Sequence, residues 1–215
     1  MSKVRVNGFT ISIDGYGAGP DQSLDNPLGI GGEELHEWLT TTRTFHQMSR
    51  RDGGTTGPDD DLAARSMANV GAWILGRNMF TASRGPWAEN DSWRGWWGAN
   101  PPYHAPVFVL TQYPRDSIEM EGGTTFHFIT DGIHSALERA KEASKGLDIR
   151  VLGGVGVIRQ YLQARLIDEA HLAIAPRLLG RGEHLLRGVD LPALGYVVTE
   201  RVATSNALHV ILTKA

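Results

Sequence analysis

Short apolar runs alternate with amphipathic stretches along most of the chain. Six runs predict strands, at 4–13, 72–75, 107–110, 124–129, 149–152 and 169–175. Several are close to continuous in Val, Ile, Leu and Phe, which suits strands covered on both faces, as in a parallel sheet. Three longer stretches carry apolar residues at helical spacing. Over 59–70, Leu62, Ala63, Ser66, Met67 and Val70 share one face, and three aspartates at its start favour a helix N-terminus. Ile133, Ala136, Leu137 and Ala140 share another, with Asp131 the expected N-cap. Val155, Ile158, Leu162 and Leu166 form a third, opened by Gly153, Gly154 and Gly156. A weaker helix is predicted over 33–42, carrying Leu35, Trp38 and Leu39. The chain then changes character: 195–203 and 207–213 read as an antiparallel hairpin turning at Thr204-Ser205-Asn206. Strands alternating with helices and closing on a hairpin predict an α/β fold, a single domain over 1–215 with a mainly parallel sheet and an antiparallel edge.

Two segments fall outside this alternation. Residues 15–32 are rich in glycine and contain Pro20 and Pro27, while 84–106 set Trp87, Trp93, Trp96 and Trp97 among prolines. Loops of this length inside a compact domain are commonly functional, and the tryptophans imply either a ligand site or a subunit interface.

Composition narrows the function classes. With 41% hydrophobic and 21% charged residues the chain can bury a core. A net charge of −3 offers no basic surface, so no nucleic-acid partner is expected. The absence of cysteine excludes disulfides, thiolate metal sites and cysteine nucleophiles. The eight histidines lack metal-ligand spacing, so no metal is expected. No apolar run is long enough for a membrane span and the first residues run straight into a strand, so a soluble cytoplasmic protein is expected.

The sequence has no P-loop, no Gly-x-Gly-x-x-Gly and no Gly-x-Ser-x-Gly. What it has are three turns following strand carboxyl ends, where ligands of open parallel sheets bind. Gly76-Arg77-Asn78 pairs a helix start with a guanidinium, a combination suited to phosphate. Gly153-Gly154-Val155-Gly156 allows a ligand close to the backbone. Thr111 and Arg115 end the third. Converging, they would suit an elongated ligand with more than one phosphate. Asp14 ends the first strand, and it either orients a substrate or belongs to an ordinary turn with Gly15. Residues 15–32 would then act as a lid.

Gly76-Arg77-Asn78-Met79-Phe80, the strand 106–111, Gly153-Gly154 followed by Ile158-Arg159-Gln160-Tyr161-Leu162, Leu166-Ile167-Asp168-Glu169, and 175–182 with Pro176-Arg177-Leu178-Leu179-Gly180 together resemble the dihydrofolate reductase-like superfamily. The likeness is to its branch related to the reductase domain of bacterial riboflavin biosynthesis, the RibD C-terminal family. It implies a mostly parallel eight-stranded sheet with an antiparallel C-terminal hairpin and helices on both faces. It further implies NADPH as cofactor, a homodimer, and hydride transfer to a small heterocyclic or carbonyl substrate, pterin- or pyrimidine-like, as in 5-amino-6-(5-phosphoribosylamino)uracil reductase and dihydrofolate reductase. A non-catalytic nucleotide- or flavin-binding module and an oligomeric scaffold are the alternatives. Carried over, Gly76, Arg77 and Asn78 would meet the cofactor's phosphates, and Thr111 and Arg115 its 2′-phosphate. Gly153, Gly154, Val155, Gly156, Val157 and Gln160 would line the pyrophosphate and nicotinamide ribose, with a cis Gly153–Gly154 bond. Pro176-Arg177 departs from the usual Pro-Val of this family. A proton-delivering group is implied on the first helix, which offers Glu33, Glu34, His36 and Glu37.

Overall fold

The computed structural model describes residues 2–89 and 91–215. Its centre is a parallel block: β1 (Val4–Ser12) lies between β8 (Glu169–Ala175) and β7 (Asp148–Gly153), and β3 (Val70–Gly76), β4 (Pro106–Leu110) and β6 (Thr125–Ile129) follow beyond β7. The hairpin of β10 (Tyr196–Ala203) and β11 (Leu208–Lys214) adds antiparallel to β8. Among the described residues the sheet has nine strands rather than the eight expected, because a two-residue strand, β5 (Ile118–Glu119), pairs antiparallel with β6 at the far edge. A separate ribbon joins β2 (Tyr16–Ala18) to β9 (Glu183–His184). Strands of two or three residues carry no readable alternation, so none of these three is visible in the sequence.

Side chains alternate between two cores, as the continuous apolar runs predict. Ala72 and Ile74 of β3, with Ile149 and Val151 of β7, face α5 (Ile133–Ala143) and α6 (Val155–Gln163). Trp73, Leu75, Val107 and Val109 face the opposite side, beneath the tryptophan-rich loop. There α3 (Pro58–Met67) covers β1, joined by the short α1 (Glu37–Thr40) and α2 (Arg43–Met48).

Helix ends depart from expectation for local reasons. The α3 helix stops at Met67 because Asn69 turns left-handed, with φ of 60°. Likewise α6 stops at Gln163, short of Leu166, and Arg165 adopts φ of 56°. Gly132, not Asp131, holds the N-cap position of α5, and the Asp131 carboxylate instead accepts from Ser135 Oγ at 2.8 Å and Arg139 Nη2 at 3.2 Å. Residues 33–42 form a 3₁₀ turn, Glu33–His36, followed by α1 rather than one helix.

One irregularity shapes the site. Gly8 adopts φ of 67°, and the β1–β8 register slips between Val6 and Phe9. Beyond it β1 no longer pairs with β7, with which it is in register only at Val4 and Arg5. The two central strands therefore diverge towards their carboxyl ends.

Candidate functional site

The two glycine corners meet. Leu75 of β3 is in register with Gly153 of β7, so Gly76 and Gly154 leave adjacent strands side by side. A Cβ added at Gly154 would lie 3.4 Å from Gly76 Cα, and one at Gly76 would lie 2.9 Å from Val157 Cγ2. Contacts this tight leave little room for a side chain at Gly76. The Gly153–Gly154 bond is trans, as are all peptide bonds among the described residues, and the chain turns through Gly154 at φ of 76° instead of through a cis bond. The α6 helix that follows has no side-chain cap, so N–H groups of its first turn are unpaired by the helix itself. Gly156 lies exposed on that turn, with no atom near where a Cβ would stand.

Beside this corner, in the split between β1 and β7, a cavity of about 380 Å³ opens. Phe9, Asn78, Met79, Leu152, Gly154 and Val155 line its end nearest the glycines. Trp73, Trp96, Trp97 and Tyr103 form an aromatic wall, and Arg150 is the cation among the lining groups. Gln22, Pro27 and Leu28 of the glycine-rich segment also border it, in keeping with a covering role for 15–32.

Arg77 and Arg115 do not reach into that cavity. The Arg77 guanidinium lies over the Trp87 ring at 3.8 Å and donates to Gly85 O, which leaves Nε and Nη2 buried without partners. Burial lowers its pKa, the nearby Tyr113 and Asp91 partly offsetting this while the positive Arg84 and Arg115 add to it. Arg115 Nη2 donates to Asp91 O at 2.8 Å and Trp93 O at 3.0 Å, and its Nη1 is buried without a hydrogen bond, 3.6 Å from an Asp91 carboxylate oxygen. Thr111 Oγ1 accepts from Tyr113 N at 3.2 Å and holds the turn after β4. Arg84 donates to Asn78 Oδ1. Gln160 is exposed one turn into α6, bonded to Gly156 O.

The tryptophans divide their work. Trp93 Nε1 donates to Phe80 O at 2.6 Å and Trp87 Nε1 to Tyr113 O at 3.0 Å, pinning the loop to the sheet, whereas Trp96 and Trp97 face the cavity.

Asp14 is otherwise engaged. Its carboxylate accepts from Ser12 Oγ at 2.5 Å, Leu179 N at 3.1 Å and Gly180 N at 2.7 Å. The Ser12 hydroxyl, followed by those backbone groups, holds its pKa below the ordinary value. The group is absent from the cavity wall, and these bonds tie β1 to the 178–181 turn. In Asp14→Ala, hydrogen exchange at the Leu179 and Gly180 amides should accelerate about tenfold or more. Unchanged protection at both amides would refute the anchor.

Of the four polar groups expected on the first helix, only His36 lines the cavity. Glu34 and Glu37 form ion pairs with Arg177 at 2.9 and 3.0 Å, which balances the charge that departs from the family's usual Pro-Val. The His36 Nδ1 lies 3.3 Å from Gly32 O, so Nδ1–H donates there and Nε2 remains an acceptor. Burial lowers its pKa, against a smaller opposing effect of Gly32, and favours the neutral ring. Arg150, Trp73, Tyr103 and Glu183 were not expected at the site. The first carried a signal, because a charge inside a strand read as covered on both faces must be buried.

The comparisons with known proteins agree with this architecture. A putative riboflavin biosynthesis protein from Shewanella sp. PV-4 superposes with a TM-score of 0.58 at 16% identity, covering 100% of this chain and 99% of its own. A diaminohydroxyphosphoribosylaminopyrimidine deaminase/5-amino-6-(5-phosphoribosylamino)uracil reductase from Thermotoga maritima gives 0.54 at 12% identity, and the match covers 100% of this chain but 57% of that one. A pyrimidine reductase-like protein from Corynebacterium diphtheriae gives 0.51 at 12% identity, covering 99% and 91%. At such identities these likenesses speak for the fold alone. No curated protein matches the sequence. The model of the RibD C-terminal domain, however, matches residues 3–210, nearly the whole chain, and the protein belongs to that family.

Proposed function

We propose that the protein is an NADPH-dependent reductase that transfers a hydride to a small heterocyclic or carbonyl substrate. The observation that carries this reading is the contact between the Gly76 and Gly154 corners beside a cavity wide enough for a planar ring. Family membership supports a reductase in general, and the cofactor is inferred from the groups at hand.

Those groups fit a phosphorylated dinucleotide. The α6 N-terminus, with exposed Gly156, suits a pyrophosphate. The unpartnered Nε and Nη2 of Arg77 are buried donors in want of an anion, as a 2′-phosphate would be, with Arg115 beside them already paired to Asp91. Bound there, the nicotinamide would supply the hydride, which asks little acid chemistry of the protein. The chain's own part is alignment and exclusion of water. Phe9, Met79 and Leu152 present an apolar floor beside Gly154 and Val155, and the 15–32 segment closes the opposite side. Neutral His36 accepts a hydrogen bond at Nε2 and would orient a substrate N–H or O–H.

Titrating NADPH into the protein while following nicotinamide fluorescence should give saturable binding, tighter than for NADH. No binding at millimolar cofactor would remove the reading. Cofactor bound without loss of nicotinamide absorbance, for any pterin-, pyrimidine- or carbonyl-type acceptor supplied, would favour the non-catalytic module instead. Arg77→Ala should weaken NADPH by about 1–3 kcal/mol through loss of charge-assisted hydrogen bonds. An unchanged dissociation constant in that variant would contradict the role given to Arg77. The homodimer remains a separate proposal, tested by light scattering.

A further inference from the structure

Arg150 sits where the fold has least use for a charge. It lies mid-strand on β7, in register with Arg5 of β1 on one side and Trp73 of β3 on the other, at the centre of the parallel block. Its relative exposure is 6%. Arg5 answers its own charge with Asp148, at 3.2 Å. Arg150 has no such partner among the described residues: Nη1 donates to Ser66 O at 3.0 Å, Nη2 to Asn7 O at 2.6 Å, and Nε to none of them. Its charged neighbour is Arg5, another cation; burial, partly offset by Tyr103 and reinforced by Arg5, drops the guanidinium to about 9. Glu183, the carboxylate on the cavity wall, forms no ion pair with it among the described residues.

An uncompensated buried cation is costly, and interiors rarely keep one without an anion. Carbonyls near the end of α3 supply only partial charge. The neighbouring Asn7 adds to the deficit, since neither its Oδ1 nor its Nδ2 finds a partner although the residue is 3% exposed. Above Arg150 the split between β1 and β7 opens into the cavity, and the surrounding wall is aromatic: Trp73, with its ring 5.1 Å from the guanidinium, then Tyr103, Trp96 and Trp97.

We propose that this cavity takes an aromatic ligand bearing one acidic group, the anion pairing with Arg150 while the rings lie against Trp73, Tyr103, Trp96 and Trp97. The proposal deepens the reductase reading, on which it rests for calling that ligand a substrate: the acceptor is an acidic aromatic molecule, held by its anion at the far end from the glycines. An arginine retained only to cap α3 would show no preference for charge in the cavity.

The probes are 1-naphthoate and its uncharged isostere 1-naphthamide, titrated into the cofactor-free protein with tryptophan fluorescence as the readout. The acid should bind about tenfold or more tightly than the amide. Arg150→Met should abolish that preference and leave the amide's affinity within about twofold. Should that variant fail to fold, Ser66→Asp serves in its place, because Ser66 also borders the cavity and an aspartate there sets the chain's own carboxylate near Arg150. It too should cancel the preference. Equal binding of acid and amide by the wild type, or an advantage of the acid that survives Arg150→Met or Ser66→Asp, overturns the proposal. NADPH titrated separately into the wild type reports on the reductase reading, so either can fail while the other stands.

Discussion

Replacing Trp38 by alanine should destabilise the protein by about 3–5 kcal/mol, the largest loss expected of any single side chain here. Trp38 is 1% exposed and is reached by groups from four elements. Its Nε1 donates to Thr10 Oγ1 of β1 at 2.9 Å. Its ring meets the edge of His209 from β11, with centroids 4.8 Å apart, and that of His171 from β8 at 6.1 Å. Ala63 of α3 and Ala173 of β8 complete the same small core. Truncation therefore removes a large apolar area, opens a cavity that backbone on every side prevents from collapsing, and leaves the Thr10 hydroxyl without its donor. Trp38→Phe restores most of the volume but not the N–H, so its cost should be nearer 1–2 kcal/mol. Urea unfolding at neutral pH separates the two. Equal midpoints for Trp38→Ala and the wild type would mean that this core is not coupled to the global fold. A loss of this size should lower the midpoint of thermal unfolding by about 10 °C.

How far the sequence foretold this structure depends on the length of the signal. The strand over residues 169–175 and the hairpin that follows are long, uniformly patterned segments bounded by Pro176 and by Thr204-Ser205-Asn206, and they fall where expected to within about two residues. Elements of two to six residues, β2, β5, β9 and α2, span less than one or two periods of any pattern, so the chain carried no comparable mark for them. At the site, the glycine corners were legible because glycine is demanded wherever two backbones touch, and Gly76 and Gly154 do. What lay beyond reading was direction. Arg77 follows a strand end as a phosphate-binding arginine would, and the stacking of its guanidinium on Trp87 has no mark in the sequence, because the position of Trp87 depends on a loop without periodicity. Asp14 follows a strand end as well, and its carboxylate meets two backbone amides, of Leu179 and Gly180, far along the chain. Arg150 stands inside a run that reads as apolar, although a guanidinium between Ile149 and Val151 is the least apolar residue such a strand can hold.

Acidification should cost stability well before the carboxylates titrate, and the source is His171. A chain of hydrogen bonds fixes its proton. Gly8 N–H donates to its Nδ1 at 3.2 Å, so the ring proton resides on Nε2, which faces His209 Nδ1 at 2.9 Å. His209 in turn presents Nε2–H to Asp59 Oδ1 at 2.8 Å. A second proton on His171 would have to sit at Nδ1, pointing at the Gly8 N–H, in a buried position. Burial above all, and then the nearby His209, Arg65 and Arg150, push its pKa down to about 3. The unfolded chain binds that proton near pH 6.5 and the folded protein does not, so the unfolded state holds more protons throughout the interval between them. Stability is therefore full above about pH 6.5 and falls as the pH is lowered, by roughly 1.4 kcal/mol per unit, towards the folded value. At pH 4.5 the loss should reach about 2–3 kcal/mol. His36, lowered in the same direction by burial, adds to this slope. Asp60 acts in a separate window. Its carboxylate accepts from Thr44 N and Thr44 Oγ1 and lies 3.3 Å from Arg43, bonds that outweigh burial and hold its pKa below the usual 3.8. Its contribution is present above that value and is lost only as the pH falls through the folded one. Urea midpoints measured from pH 8 to pH 4 should trace the decline, and His171→Gln should flatten it while leaving the slope due to His36 and His127, both lowered by burial. A wild-type stability that stays level between pH 6.5 and 4.5 would mean that His171 takes up its proton in the folded state, and that the Gly8–His171–His209–Asp59 chain does not hold it neutral.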